Sequence, residues 1–374
     1  MSKQVKKVKA IIKNNESNTR EANETKKYHF KNLIFEGGGV KGIAYVGALE
    51  VLEKEGILKD VERVAGTSAG AMVAVFVALG YTAEEISDIL WSINFKNFMD
   101  SSWGIVRDLN RLINDYGWYK GDYFRNLMAG YIEKKTKNGE ITFKELAKSK
   151  KFRELHLIGA DLSTGYSKVF NATNTPNVKV ADAARISMSI PLFFAAVKGV
   201  EGDDHIYVDG GLLNNYAIKS FDRQVFVADE ANARRTDYYE KINKRIKEMG
   251  GTLKMPKINV VNEYVYNKET LGFRLDGKED IELYLNPNAE PPVKEIKTLF
   301  TYTKALVTAL IDFQNNIHLH SDDWQRTIYI NTSGVDATDF NISDSKKEQL
   351  VAAGRGFTED YLEWYNNDEE KANK

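Results

Sequence analysis

The chain has 374 residues, 43% hydrophobic and 28% charged, enough to bury a large core as one big domain or two smaller ones. A net charge of −1, with no zinc-finger spacing or RNA-binding signature, leaves nucleic acid out as a partner. The absence of cysteine excludes disulfides and thiolate metal sites, which fits a cytoplasmic protein or one secreted without disulfides.

Residues 1–27 read as a flexible basic arm, with Lys3, Lys6, Lys7, Lys9 and Lys13 ahead of the first acid, Glu16. Such a run either touches anionic lipid, at about 1 kcal/mol per basic residue, or simply solvates the tail. Its only apolar patch, Ala10-Ile11-Ile12, is too short for the core of a signal peptide.

Tyr28 to Phe35 ends apolar and predicts a buried first strand running into Glu36-Gly37-Gly38-Gly39-Val40-Lys41-Gly42. Ile43, Val46, Leu49 and Leu52 then recur at helical spacing, so the glycine turn delivers free N–H groups to a helix N-terminus, a place that holds a phosphate or a developing oxyanion. Gly37, Gly39 and Gly42 also satisfy G-x-G-x-x-G. A dinucleotide fold, however, asks for an acid at the end of the second strand to hold the ribose.

That second strand, Val61 to Ala65, ends instead in Gly66-Thr67-Ser68-Ala69-Gly70, followed by the apolar helical run Ala71 to Leu79. Strand, G-x-S-x-G and helix in this order are the parts of a nucleophile elbow, which lifts a serine hydroxyl clear of the sheet. Gly66 and Gly70 have a mechanical role, because side chains there would collide across so tight a turn. Ser68 is the candidate nucleophile, and the oxyanion reading of Gly37 to Val40 follows from it, with Lys41 adding positive charge.

From residue 82 to 154 the pattern is helical and rich in aromatics, among them Trp91, Phe95, Phe98, Trp103, Trp118, Tyr119 and Phe124, as expected of a lid or simply of core. Ala83 to Trp91 has helical periodicity with Glu84 and Glu85 in its first turn. The longest apolar stretch, Ala69 to Tyr81, is short of a membrane span.

A further strand, Ile206-Tyr207-Val208, closes on Asp209-Gly210-Gly211 and then Leu212 to Asn215. A carboxylate at a strand end followed by two glycines is rigidly held and approachable, so Asp209 is the candidate base, with an intrinsic pKa near 4. Five histidines offer the usual alternative: His29, His156 and His205 have no catalytic context, while His318 and His320 allow a Ser-His-Asp hydrolase as a rival. Beyond Asp209 the pattern predicts a strand at Val225-Phe226-Val227, a charged helix through Lys241 to Met249 and a loop around Asn286 to Pro292. A long helix from Val293 to about His320 and a strand at Thr327 to Ile330 follow. A helix capped after Ser345, with Glu348 at capping-box spacing, and a last helix through Tyr361 to Tyr365 complete the chain.

Three motifs in one order, Gly37-Gly38-Gly39-Val40-Lys41-Gly42, Gly66 to Gly70 and Asp209-Gly210-Gly211, resemble the patatin-like phospholipase family. Asp161 to Gly165, Ala184 to Pro191 and Leu271 to Asp276 are similar to its bacterial members, so the likeness spans about residues 30 to 365. The chain departs from the family in carrying Glu36 where an aspartate is usual and in lacking the proline after Asn214-Asn215. The resemblance implies an α/β fold in three layers with a mostly parallel sheet. It implies a basic arm (1–27), a catalytic domain (28–230, with 82–154 a helical insertion over the cleft) and a C-terminal extension (231–374) packed on it. It also implies hydrolysis of lipid acyl esters, of phospholipase A or lysophospholipase type, by a Ser68–Asp209 dyad. No metal and no cofactor are called for. The expected partners are a phospholipid or other lipid ester and a peripheral membrane surface, with a protein activator left open. A non-catalytic lipid-binding protein is the rival from another class.

Overall fold

The computed structural model describes residues 28–99, 112–250, 263–277, 293, 295–318, 322–367 and 373. Eight strands build its central sheet: β1 (Asn32–Phe35), β2 (Arg63–Thr67), β3 (Glu154–Asp161), β4 (Tyr166–Phe170), β5 (Val197–Lys198), β6 (Ile206–Asp209), β7 (Thr270–Asp276) and β8 (Thr327–Asn331). Their order is β8-β7-β1-β2-β3-β6-β5, with β4 paired to β3 off this path. The run from β8 to β3 is parallel, whereas β4, β5 and β6 join by antiparallel pairing. The helices are α1 (Ala44–Lys54), α2 (Ala69–Ala78), α3 (Ala83–Ser92), α4 (Asp122–Thr136), α5 (Phe143–Ala147), α6 (Val180–Ser187), α7 (Gly211–Asn214), α8 (Asp237–Gly250), α9 (Leu299–His318) and α10 (Asp344–Asn367).

Side chains of successive strand residues point to opposite faces, and the sequence uses both. Leu33, Phe35, Val64, Leu271 and Phe273 join the main core with α1, α2 and α10, while Ile34 and Ala65 meet Tyr216, Ile218 and Phe221 on the other face. This is the expected three-layer α/β arrangement with a mixed, mostly parallel sheet. Helix α2 is buried along its whole length and accordingly apolar on every side. Helix α3 opens with a capping box, Thr82 Oγ1 accepting from the Glu85 N–H at 3.1 Å and Glu85 Oε2 from the Thr82 N–H at 2.9 Å. Phe95, Phe98 and Phe124 are buried in the main core; Trp103 lies outside the described residues.

Several expectations change. Val225-Phe226-Val227 is no strand: residues 224–226 form a 3₁₀ turn, with Phe226 and Val227 N–H bonded three residues back. Phe226 packs against the smaller core cluster while Val225 stands 48% exposed, so the apolar triplet is divided between core and solvent rather than paired in a sheet. The long helix begins at Leu299, six residues later than expected, and the Asn286 to Pro292 loop and the arm lie outside the described residues. The two expected C-terminal helices are one, α10, and its first turn is capped upstream of Ser345: Ser343 Oγ accepts the Lys346 N–H at 3.4 Å.

Gly354 does not break α10 because it is where α10 crosses α1. A Cβ there would fall 1.8 Å from the Ala44 carbonyl oxygen, a backbone atom that cannot step aside. Gly354→Val is therefore expected to push the helices apart and destabilise by about 3 kcal/mol or more, read as a lower midpoint in urea. An unchanged midpoint would mean the crossing has slack. Elsewhere Arg326, fully buried, donates to both oxygens of Asp222 (2.6 and 2.7 Å) and to Asp323 (2.6 Å). Removing one member of such a buried network typically costs about 3–5 kcal/mol, so this set fixes the entry to β8 against the turn that follows α7.

Candidate active site

Sheet register brings the two candidate catalytic residues together. Strand β2 runs up one edge of β3 as far as Thr67, opposite Ile158. Strand β6 runs antiparallel to β3 and ends at Asp209, opposite Gly159, the next residue along. The two strands thus meet head-on along β3. Ser68, one step past Thr67, and Asp209 share one level along β3, that of Gly159.

Ser68 sits at φ 53, ψ −124, outside the regions a serine ordinarily occupies. Strain of this kind typically costs about 1–3 kcal/mol and persists only when the surroundings hold it. They do so closely: a Cβ on Gly66 would fall 2.2 Å from the Gly70 carbonyl oxygen, and one on Gly70 2.3 Å from that of Phe35. The Ser68 N–H donates to Ser187 Oγ at 2.9 Å, and Ser187 Oγ in turn donates to the Ile158 carbonyl at 2.5 Å. The Ser68 hydroxyl lies 3.7 Å from Met188 Sδ.

Asp209 is almost wholly buried. Its Oδ1 accepts the Gly211 N–H at 2.7 Å, and its Oδ2 has no hydrogen-bond partner. Burial pushes this carboxyl up to about 7, with the Gly211 N–H and the nearby Ser68 hydroxyl pulling less strongly the other way. The sequence reading of an aspartate titrating near 4 is corrected by this desolvation. A carboxyl poised near neutral pH is also a better proton acceptor than an ordinary one.

The glycine loop is held from two sides. Gly37 donates its N–H to the Asn215 carbonyl at 3.2 Å and accepts at its own carbonyl from Asn215 Nδ2 at 3.2 Å. Val40 donates to the Ala337 carbonyl at 3.0 Å and Lys41 to that of Gly38 at 3.1 Å. Among the described residues the N–H groups of Gly38 and Gly39 have no partner. Of the five loop positions singled out in the sequence, Gly37, Val40 and Lys41 are therefore engaged with the protein's own carbonyls. Glu36, directly before the loop, accepts from the Leu275 N–H (2.7 Å) and from Asn215 Nδ2 (3.1 Å), and burial raises its carboxyl to about 7 against the pull of Arg274.

Gly210 and Gly211 follow Asp209 into α7. Three histidines stand elsewhere: His29 on the Lys268 carbonyl, His156 on Glu154, and His205 on Asp161. His320 and the side chain of His318 lie outside what the structure describes. Sequence reasoning named Ser187, Met188 and Asn215 only within family-like stretches and gave them no role, and it did not single out Ala337. Asn215 could have been suspected as a polar residue four positions after the Asp-Gly-Gly turn; nothing local marks Ala337, whose contribution is a backbone carbonyl.

A profile of the patatin-like phospholipase family matches residues 33–222. An uncharacterized protein of Bacillus subtilis, YqhO, is 31% identical over 340 residues, covering 88% of this chain and 97% of its own. A probable lipid hydrolase of Invertebrate iridescent virus 6 is 24% identical over 216 residues, covering 56% of this chain and 68% of its own. Among solved structures, VipD from Legionella pneumophila superposes with a TM-score of 0.54 at 16% identity, over 90% of this chain and 67% of its own, a likeness of fold.

Proposed function

Since the chain belongs to the patatin-like phospholipase family, we propose that it hydrolyses the acyl esters of phospholipids or lysophospholipids through a Ser68–Asp209 dyad. The observation that carries this reading is the head-on meeting of β2 and β6, which sets a strained serine beside a buried carboxyl with one free oxygen. Asp209 takes the proton of Ser68 Oγ as that oxygen attacks the ester carbonyl carbon. The carbonyl oxygen, now negative, is held by the Gly38 and Gly39 N–H groups. Asp209 returns the proton to the departing alcohol, leaving an acyl-serine. Water gives its proton to Asp209, attacks the acyl carbon and releases the fatty acid with Ser68 restored.

The test is fatty-acid release from mixed phospholipid vesicles in the presence of chelator. Ser68→Ala is expected to lower turnover at least about 10⁴-fold. Equal release from the wild type, Ser68→Ala and Asp209→Asn would remove the dyad. The Ser-His-Asp alternative rests on His318 or His320, and loss of activity in His318→Ala or in His320→Ala would favour it over the dyad.

A further inference from the structure

We propose that helix α9 is the surface by which this protein sits on a lipid aggregate, its outer apolar face entering the boundary between headgroups and acyl chains. This rests on the lipid-ester reading above and names the surface that delivers such substrates. The position comes first. Helix α9 packs on α7, the single turn that begins two residues after Asp209, so it lies next to the segment that carries the candidate base.

The chemistry of α9 is that of a helix missing a partner. Tyr302, Leu306, Leu310 and Phe313 recur at helical spacing along one side, and all four are exposed, Phe313 by 69%. By the same spacing no acid or base of α9 falls in that row. Val293 and Ile296, just ahead of the helix, are exposed as well. Six of the fourteen large hydrophobic side chains exposed in the described chain thus fall within residues 293–313, a concentration that scattered surface apolar residues do not produce. Helix α9 packs on α7 and also carries an exposed apolar row that no other described element covers.

Area decides what covers it. From Tyr302 to Phe313 the row is about 17 Å long and about 10 Å wide, on the order of 200 Å². A stable protein interface buries about 800 Å² on each partner, several times what this ridge offers a second copy of the chain. A bilayer asks for no shape complement and takes an apolar helix face about 5–10 Å deep. Tyr302 at one end of the row is suited to the headgroup level.

The experiment separates docking from catalysis by measuring binding in the full chain carrying Ser68→Ala, so that no vesicle is consumed. Co-sedimentation with neutral phosphatidylcholine vesicles is compared with and without Leu306→Glu and Leu310→Glu together. We expect at least about tenfold weaker binding from the double change, and binding of the parent that persists in about 0.5 M salt, where surface charge is screened. With Ser68 restored, the double variant should cleave a soluble butyrate ester at the unaltered rate, which also reports its folding, and vesicle phosphatidylcholine at least about tenfold more slowly. Phe313→Ser, a milder change, should move both readouts in the same direction. The proposal is overturned by equal vesicle binding with and without the glutamates, by no binding of the parent, or by binding that vanishes in salt. A dimer that depends on Leu306 and Leu310, seen in sedimentation without vesicle binding, also overturns it. A chain that cleaves neither ester would sink the hydrolase reading instead, and the binding comparison would still stand on its own.

Discussion

Asp209→Asn is expected to abolish ester hydrolysis and to raise the melting temperature in the same protein. Asp209 is buried with Oδ2 unpartnered, and its carboxyl titrates at about 7 instead of the ordinary 3.8. At pH 8 the native protein therefore holds an ionised group where a neutral one would be easier to accommodate. A displacement of this size corresponds to something on the order of 4 kcal/mol as an upper figure. Asparagine has nearly the same shape and can keep the oxygen that receives the Gly211 N–H, so the strain of a buried charge is relieved while the proton acceptor is lost. Thermal unfolding at pH 8 should show the variant several degrees higher. A variant that melts with or below the wild type would mean that Asp209 is not held against its own solvation.

The sign of the pH dependence follows from the same displacement. The folded protein keeps the Asp209 proton up to about pH 7, whereas the unfolded chain releases it near 4. Folding is therefore opposed by ionisation, a loss of stability that begins near pH 4 and is complete by about pH 7. The advantage of Asp209→Asn should be full at pH 8 and vanish near pH 4. Glu36, raised to about 7 by its own burial, adds a dependence of the same direction but is present in both proteins and cancels from the comparison. Activity runs the opposite way: the base must be ionised to accept the Ser68 proton, so kcat/KM should rise with pH up to about 7 and level above it.

What the sequence reveals here is what is local. Gly66 announces a tight turn because the constraint it answers, the Gly70 carbonyl, lies within five residues, and the flanking strand and helix patterns give that turn its context, whereas Gly70 answers the Phe35 carbonyl of the neighbouring strand. The proximity of Ser68 to Asp209 has no such signature. It arises because β2 and β6 both pair with one edge of β3 and stop one residue apart, a matter of register between distant segments. The same limit explains the pKa of Asp209, since desolvation is set by what closes over a group and not by its neighbours in the chain. It explains Val225 to Val227 too, where β-rich composition is answered by a 3₁₀ turn because only Phe226 finds an apolar cluster to enter. The loop N–H groups are the subtlest case. Glycine content suggested Gly37 to Val40 as donors, with Lys41 for its charge, yet which N–H groups stay free depends on Asn215 and Ala337, far along the chain.

Asn215→Ala is expected to lower kcat about 100-fold, the usual loss when an oxyanion donor is misplaced, with KM for a soluble ester nearly unchanged. Asn215 clasps Gly37 through both backbone directions, carbonyl to N–H at 3.2 Å and Nδ2 to carbonyl at 3.2 Å, and its Nδ2 also reaches Glu36 at 3.1 Å. The same residue directly follows α7, so one side chain ties the glycine loop to the turn carrying Asp209. Without it the Gly38 and Gly39 N–H groups lose their bearing on Ser68, and Glu36 Oε1 is left buried with one partner fewer, a cost of about 1–3 kcal/mol. If Glu36 acts on the loop through Asn215, then Glu36→Ala added to Asn215→Ala should lower kcat little further, whereas independent roles would multiply. Glu36→Gln, which keeps an acceptor oxygen for Leu275, should retain most of the rate. Full kcat in a folded Asn215→Ala protein would mean that the loop holds its shape through Ala337 and the sheet alone, and that the clasp serves stability and not the reaction.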